Sequence, residues 1–266
     1  MLTFNMRPQF YLLAASIGLM WGQQPFITDD ADVSPVGHFH LELISEFDRL
    51  QFTSYPTLRQ STTRFQLTYG LRENLEIGFD APLIAIYNAS QSGTPNASGF
   101  GDFDLQMKYR LRTEHDGSKM PAVTVGFYVE TPTGNVQKQL GSGIADYWLS
   151  GILQKHVTTR TVVRLNSGIL FSGNTLTGAI GIRSVHGKIL TGASSVTYQL
   201  NDRLLVGVEI AGAFTQQFDL GKSQLQSLFG VKYALTKSIG LDFALTGGKY
   251  EGSPRLGGAF GFSFDF

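Results

Sequence analysis

Few residues of this chain are of types that do chemistry, and their spacing limits what that chemistry can be. There are five histidines and no cysteine. His38 and His40 stand two apart, followed by Glu42. In an extended chain alternate residues share a face, so these three side chains could converge on a metal ion. No further ligand stands at a matching position, and a polar wall of imidazole and carboxylate is the simpler reading. Asp29, Asp30 and Asp32 could offer oxygens to Ca²⁺, but the glycine and distal glutamate of an EF-hand loop are missing. The absence of cysteine removes thiolate nucleophiles, Cys-type zinc sites and disulfides. His115, His156 and His186 lie in no nucleophile motif, and there is no Gly-x-Ser-x-Gly elbow, Walker A loop or dinucleotide fingerprint. The residues therefore point away from a catalytic centre, a metal or a cofactor. A membrane-embedded lipid hydrolase or acyltransferase with an unfamiliar arrangement of nucleophile and base is one alternative.

The elements that carry these residues are legible from their periodicity. From His38 onward the dominant pattern is apolar and polar residues in strict alternation, the mark of strands with two unlike faces. Phe39, Leu41, Leu43 and Phe47 alternate with His40, Glu42, Glu46 and Asp48. Phe103, Leu105, Met107 and Tyr109 alternate with Asp102, Asp104, Gln106, Lys108 and Arg110. Val206, Val208 and Ile210 flank Gly207 and Glu209, while Leu241 and Phe243 flank Asp242. Short polar turns fall near residues 72–74, 158–160, 201–203 and 236–238, with a longer one at 113–121. Between them lie Gly-, Ser-, Thr- and Asn-rich loops near 51–60, 88–99, 133–144, 172–186, 217–223 and 250–254. Five turns and six loops predict twelve strands, although residues 161–200 alternate poorly. Tyr69, Tyr109, Tyr198 and Tyr233 each close a strand just before a turn, on its apolar side, as interfacial aromatic girdles do.

Composition agrees with a membrane setting. Lys plus Arg and Asp plus Glu number 21 each, and only 16% of residues are charged, against about a quarter in a soluble domain. With no net charge and no basic run, a nucleic-acid partner is not expected. Residues 1–22 read as a signal peptide, with Arg7 ahead of an apolar run from Phe10 to Leu19 that is too short to span a bilayer as a helix. Residues 23–37 follow as a periplasmic or lumenal segment, and 38–266 as the strand region. Strands with one lipid-facing side must close on themselves, because no water is present to satisfy an open edge. Short turns at one end and long loops at the other predict an all-β, transmembrane antiparallel barrel of about twelve strands in the bacterial outer membrane, both termini periplasmic. A soluble sandwich shares the alternation but does not call for the export signal or the aromatic end.

The chain ends Gly261-Phe262-Ser263-Phe264-Asp265-Phe266. Phe262, Phe264 and Phe266 resemble the C-terminal signal read by the outer-membrane barrel assembly machinery. Three stretches carry a wider resemblance: Pro25-Phe26-Ile27-Thr28-Asp29-Asp30-Ala31-Asp32, Gly99-Phe100-Gly101-Asp102-Phe103-Asp104-Leu105 with Lys108-Tyr109, and Glu130-Thr131-Pro132-Thr133-Gly134. They are similar to a family of outer-membrane proteins labelled as transporters or as "MetA-pathway of phenol degradation" proteins. That resemblance implies a barrel that passes small compounds, aromatic ones among them, and it brings no agreed binding residues. The reading that follows is an outer-membrane channel or transporter, with a lipid-acting enzyme or a structural or adhesive barrel as alternatives. Its partners would be outer-membrane lipids, the assembly machinery and a small solute. The lumen would be lined by Glu42, Glu46, Asp80, Asp102, Asp104, Glu130, Glu209 and Asp242 against Lys108, Arg110, Arg164 and Lys232, with Asp102 and Asp104 facing Lys108 and Arg110. The aromatic terminus yields a first expectation: deleting Phe266, or changing it to Asp, should lower the yield of heat-modifiable barrel in outer-membrane fractions. Undiminished yield would count against the signal.

Overall fold

The computed structural model describes residues 24–51, 59–87, 96–138, 140–141, 143–174, 184–215, 224–250 and 252–266. The expected signal peptide and parts of the expected loops lie outside these residues. Thirteen strand segments are present: β1 (Phe39–Arg49), β2 (Arg59–Arg72), β3 (Leu75–Tyr87), β4 (Ala97–Phe100), β5 (Phe103–Arg112), β6 (Ala122–Thr131), β7 (Asp146–His156), β8 (Thr161–Asn174), β9 (Ser184–Asn201), β10 (Leu204–Thr215), β11 (Gln224–Ala234), β12 (Ile239–Gly248) and β13 (Leu256–Asp265). β4 and β5 both pair with β3 and form one stave broken at Gly101–Asp102. The result is a closed antiparallel barrel of twelve staves. Among the described residues no helix is long and apolar enough to cross a membrane. Residues 161–200, where the alternation is poor, carry two long strands, β8 and β9, that pair with each other. The strands on either side of the expected 172–186 loop run further than the sequence suggested, to Asn174 and from Ser184.

Every stave pairs with its chain neighbours, and β1 pairs with β13 to shut the ring. At the seam Phe39 N–H donates to the Phe266 carbonyl (2.8 Å), and Phe266 N–H donates back to Phe39 (3.0 Å). Both ends of the barrel chain therefore lie at the turn end. The Phe39 ring sits between Tyr69 and Phe266, with centroids 4.6 and 5.6 Å away. Tyr109 and Tyr198 face outward at the same end.

Alternation sorts the side chains between two environments. Leu105, Val208, Ile210 and Leu245 are more than half exposed on the outer surface, whereas Glu209, between Val208 and Ile210, is 3% exposed. Phe260, Phe262 and Phe264 line the same outer face along β13, in contact ring to ring. A soluble protein inverts this arrangement; here the charges are inside and the hydrocarbon side chains outside, as lipid requires. Val208→Arg should destabilise the barrel in lipid by about 2–4 kcal/mol, the cost of a cation near the bilayer midplane. A denaturant titration of folding into vesicles reads this directly, and an unchanged midpoint would mean that Val208 does not meet lipid.

Candidate functional site

The lumen has two unlike walls, set by which residues fall on the inward parity. On one side, register places Glu42, Gln66, Asp80, Asp104, Glu130 and Asp146 directly beside one another across β1, β2, β3, β5, β6 and β7. Five of these six neighbours are carboxylic acids, and like charges directly opposite one another repel. Arg64 answers part of that charge, its guanidinium donating to Asp80 at 2.7 Å. On the other side, nearer the loop end of β8 to β13, many inward positions are small or apolar, with Gln224 and Gln226 of β11 as polar exceptions. Leu170, Ile189 and Ala213 cluster there with Trp148, and Leu228, Ala244 and Ala259 with Phe26. Tyr128 and Trp148 stack at 4.7 Å where the two walls meet.

The turn end of this lumen is filled by the chain itself. Ser34 N–H and hydroxyl donate to Glu76 on β3 (2.7 and 2.6 Å). Thr124 on β6 donates to the Ala31 carbonyl (2.5 Å), and Gln154 on β7 to Asp32 (2.7 Å). The Asn166 side chain on β8, with its oxygen turned toward Asp29 N–H (2.7 Å), brackets the Asp29 backbone. Glu209 on β10 accepts from Ile27 N–H (3.0 Å), Thr28 N–H (2.6 Å) and the Thr28 hydroxyl. The Gln24 N–H then reaches Glu42 on β1 at 3.3 Å. Residues 24–34 thus line the barrel wall most of the way round. Two close approaches depend on missing Cβ atoms. A Cβ on Gly70 would lie 2.1 Å from the Pro35 carbonyl, and one on Gly230 would lie 2.7 Å from the Phe26 ring.

The central lock is Lys108. It is 1% exposed, and its ammonium donates to Asp29 (2.7 Å) and Asp30 (3.1 Å), with Glu76 at 4.0 Å. Tyr128 hydroxyl also donates to Asp29. Such a lysine stays charged inside the barrel only because carboxylates surround it.

The sequence-derived lumen residues all lie on the inward parity, but they are not paired as expected. Asp102 and Asp104 do not face Lys108 and Arg110. Asp104, Lys108 and Arg110 share β5, where successive inward positions point the same way, Asp102 lies in the break just before it, and the cations find their partners elsewhere. Lys108 takes Asp29 and Asp30, while Arg110 donates to the Glu73 carbonyl (2.6 Å), with Asp32 at 4.0 Å. Asp102 accepts from Gly134 N–H (2.8 Å) and so anchors the β6–β7 loop. Asp104 lies between Asp80 and Glu130, Glu130 between Asp104 and Asp146, and Glu46 between Thr62 and Ala259. The imidazole of His40 is held between Glu42 (3.1 Å) and Asp265 (2.6 Å). Asp29, Asp30 and Asp32 act as counter-charges to the lumen rather than as a Ca²⁺ loop. The mutual fit of Asp29-Asp30 with Lys108 was the relation missed. Lys108 already has Glu76 opposite it on β3, so nothing in the strand pattern calls for a further pair of acids from the N-terminal segment.

A closed barrel with an apolar outer band, an aromatic rim and a polar lumen filled at one end by its own N-terminal segment defines an outer-membrane β-barrel of the channel and porin fold. Solved structures of similar fold include the COG4313 outer membrane channel from Pseudomonas putida F1, at TM-score 0.66 and 14% identity over 89% of this chain and 98% of that one. The NanC porin follows at 0.57 and 12%, over 84% and 98%, and the KdgM porin in complex with disordered oligogalacturonate at 0.54 and 13%, over 85% and 99%. No curated protein sequence matches. Residues 24–266 match the family described as "Putative MetA-pathway of phenol degradation", and the chain belongs to that family. The matched region takes in the lumen segment as well as the barrel.

Lys108→Met should free that segment, because removing one partner of a buried ion pair costs about 3–5 kcal/mol. Limited proteolysis of detergent-purified barrel should then cut between residues 24 and 37 at least about tenfold faster, with heat-modifiability retained. Equal cutting rates would show that Lys108 does not hold it.

Proposed function

We propose that this protein is an outer-membrane channel for small solutes with aromatic or otherwise apolar bodies. The observation that carries this reading is the split lumen. A passage for strongly hydrated solutes gains nothing from Leu170, Ile189, Ala211, Ala213 and Leu228 on its inner wall, since water must be ordered against them. An apolar solute does gain: each square ångström removed from water is worth about 25 cal/mol. The Tyr128–Trp148 stack gives a ring-shaped solute a flat partner beside that wall. Charged residues across the lumen leave room for one polar substituent, such as a phenolic hydroxyl. The family label and the fold of channels and porins agree with this use. On the same reading, the outer face meets lipid, and Phe262, Phe264 and Phe266 are the strand read by the barrel assembly machinery.

Trp148 offers a direct test. Of the two tryptophans, Trp21 falls in the leader, so the processed chain carries its indole beside the apolar wall. Titrating phenols and aromatic alcohols into purified barrel should change Trp148 fluorescence saturably, and Ala213→Phe, which fills the wall, should weaken the response at least about tenfold. Sugars of similar size should give no response. If neither class of solute binds or enters liposomes bearing the protein, the channel reading fails.

A further inference from the structure

A set of buried polar atoms lies where the described part of the lumen segment begins. Oε2 of Glu42 takes no hydrogen bond among the described residues, and the Asp242 carboxylate has beside it only the Ser263 hydroxyl and, at 3.7 Å, the Lys232 ammonium. Glu42, Asp242 and Ser263 are 2%, 1% and 0% exposed. They come from three adjacent strands: Glu42 on β1 is opposite Ser263 on β13, and Asp242 on β12 is opposite Gly261 on β13. The charged groups facing one another here are Glu42, Asp242 and Asp265 against His40 and Lys232. His40 bonds Glu42 and Asp265, and the Lys232 ammonium lies 3.7 Å from Asp242. Even with His40 protonated, three carboxylates meet two cations among the described residues. A buried carboxylate without its counter-charge is strongly disfavoured, so the site is short by one positive charge.

The backbone nitrogen of Gln24 is already at the site, 3.3 Å from Glu42 Oε1. Pro25 beside it packs against Gly230 on β11, so the chain passes between the β11–β12 wall and β1. As an amide, that nitrogen has one proton and no charge. As a chain terminus, it would have three donors and a unit charge, which is what the unpartnered Glu42 oxygen and the missing cation call for.

We propose that this site binds the α-ammonium of the processed chain. Hydrolysis of the peptide bond before Gln23 or Gln24 by water leaves a carboxylate on the leader and an ammonium on the mature chain. That ammonium docks on Glu42 and Asp242. Cleavage before Gln24 makes the atom now beside Glu42 the terminus. The lumen segment is then held at both ends, by the chain itself at His38 and by an ion pair at its start, and export processing creates the group that seats it.

The test uses mature protein extracted from outer membranes in detergent. Intact mass and N-terminal peptide sequencing give the starting residue, expected at 23 or 24 with a free amine. N-hydroxysuccinimidyl acetate at neutral pH should acetylate that amine at least about tenfold more slowly in the folded barrel than in urea, given the strength of charge-assisted hydrogen bonds. Lys237, in an exposed turn, serves as the control that labels equally in both states. Asp242→Asn and Glu42→Gln, singly and together, keep the shape and remove the charge, and in heat-modifiable barrel they should restore rapid labelling. A start elsewhere, a terminal glutamine cyclised to pyroglutamate, rapid labelling of the folded wild type, or protection that survives both substitutions would each overturn the proposal. The last outcome would assign the protection to burial alone. Should the double variant fail to fold, the single variants and the wild-type comparison still decide.

Discussion

In a bilayer a backbone N–H or C=O has no water to turn to, and this one constraint organises the molecule. It forces each strand to have two partners, so the first strand must find the last. The reciprocal pair between Phe39 and Phe266 is where that demand is finally met. Closure then fixes an inside and an outside, and the two-residue period of a strand distributes the side chains between them. The placement of every charge discussed above follows from that parity.

A ring of twelve staves is wider than its own side chains can fill, since eight strands already enclose a side-chain-filled interior. Here the deficit is met by the chain's own N-terminal stretch. It is held chiefly by polar contacts, and the chemistry is complementary: Lys108 on the wall answers Asp29 and Asp30 on the segment, while Glu76 and Glu209 on the wall answer N–H and hydroxyl donors. The lumen's charges are therefore not a uniform mixed field. Those at the turn end are largely matched to the segment, and the carboxylate row from Asp80 to Asp146 keeps its excess toward the other end.

Much of the barrel was legible in the sequence because its signals are local. Alternation in Phe39–Phe47, Phe103–Tyr109 and Val206–Ile210 assigns faces residue by residue, and turns such as Glu73-Asn74 and Asp202-Arg203 bound the strands. What was not legible depends on distance across the ring. Nothing local says that Asp29 will meet Lys108, 79 positions away, or that Gly207 and Gly230 are small to admit Phe26. The break at Gly101–Asp102 leaves only a change of parity, since Phe100 and Phe103, three apart, fall on opposite faces of an unbroken strand. The outlines of β8 and β9 blurred because small residues such as Gly168, Ala193 and Ser195 carry little contrast between faces.

The seam has a consequence for timing. His40 and Asp265, bonded across it, are 225 positions apart, and no nearer pairing can stand in for theirs. Contacts of such separation demand their loop entropy before they return anything, which makes them late and slow. Until the final strand arrives, β1 has one bare edge and the lumen is open along its side. The N-terminal stretch, covalently tied to that same β1, can be laid against the inner wall during this interval without being threaded. Once β13 docks, the way in or out runs along the barrel axis, and an equilibrium arrangement becomes one protected by the lifetime of the seam.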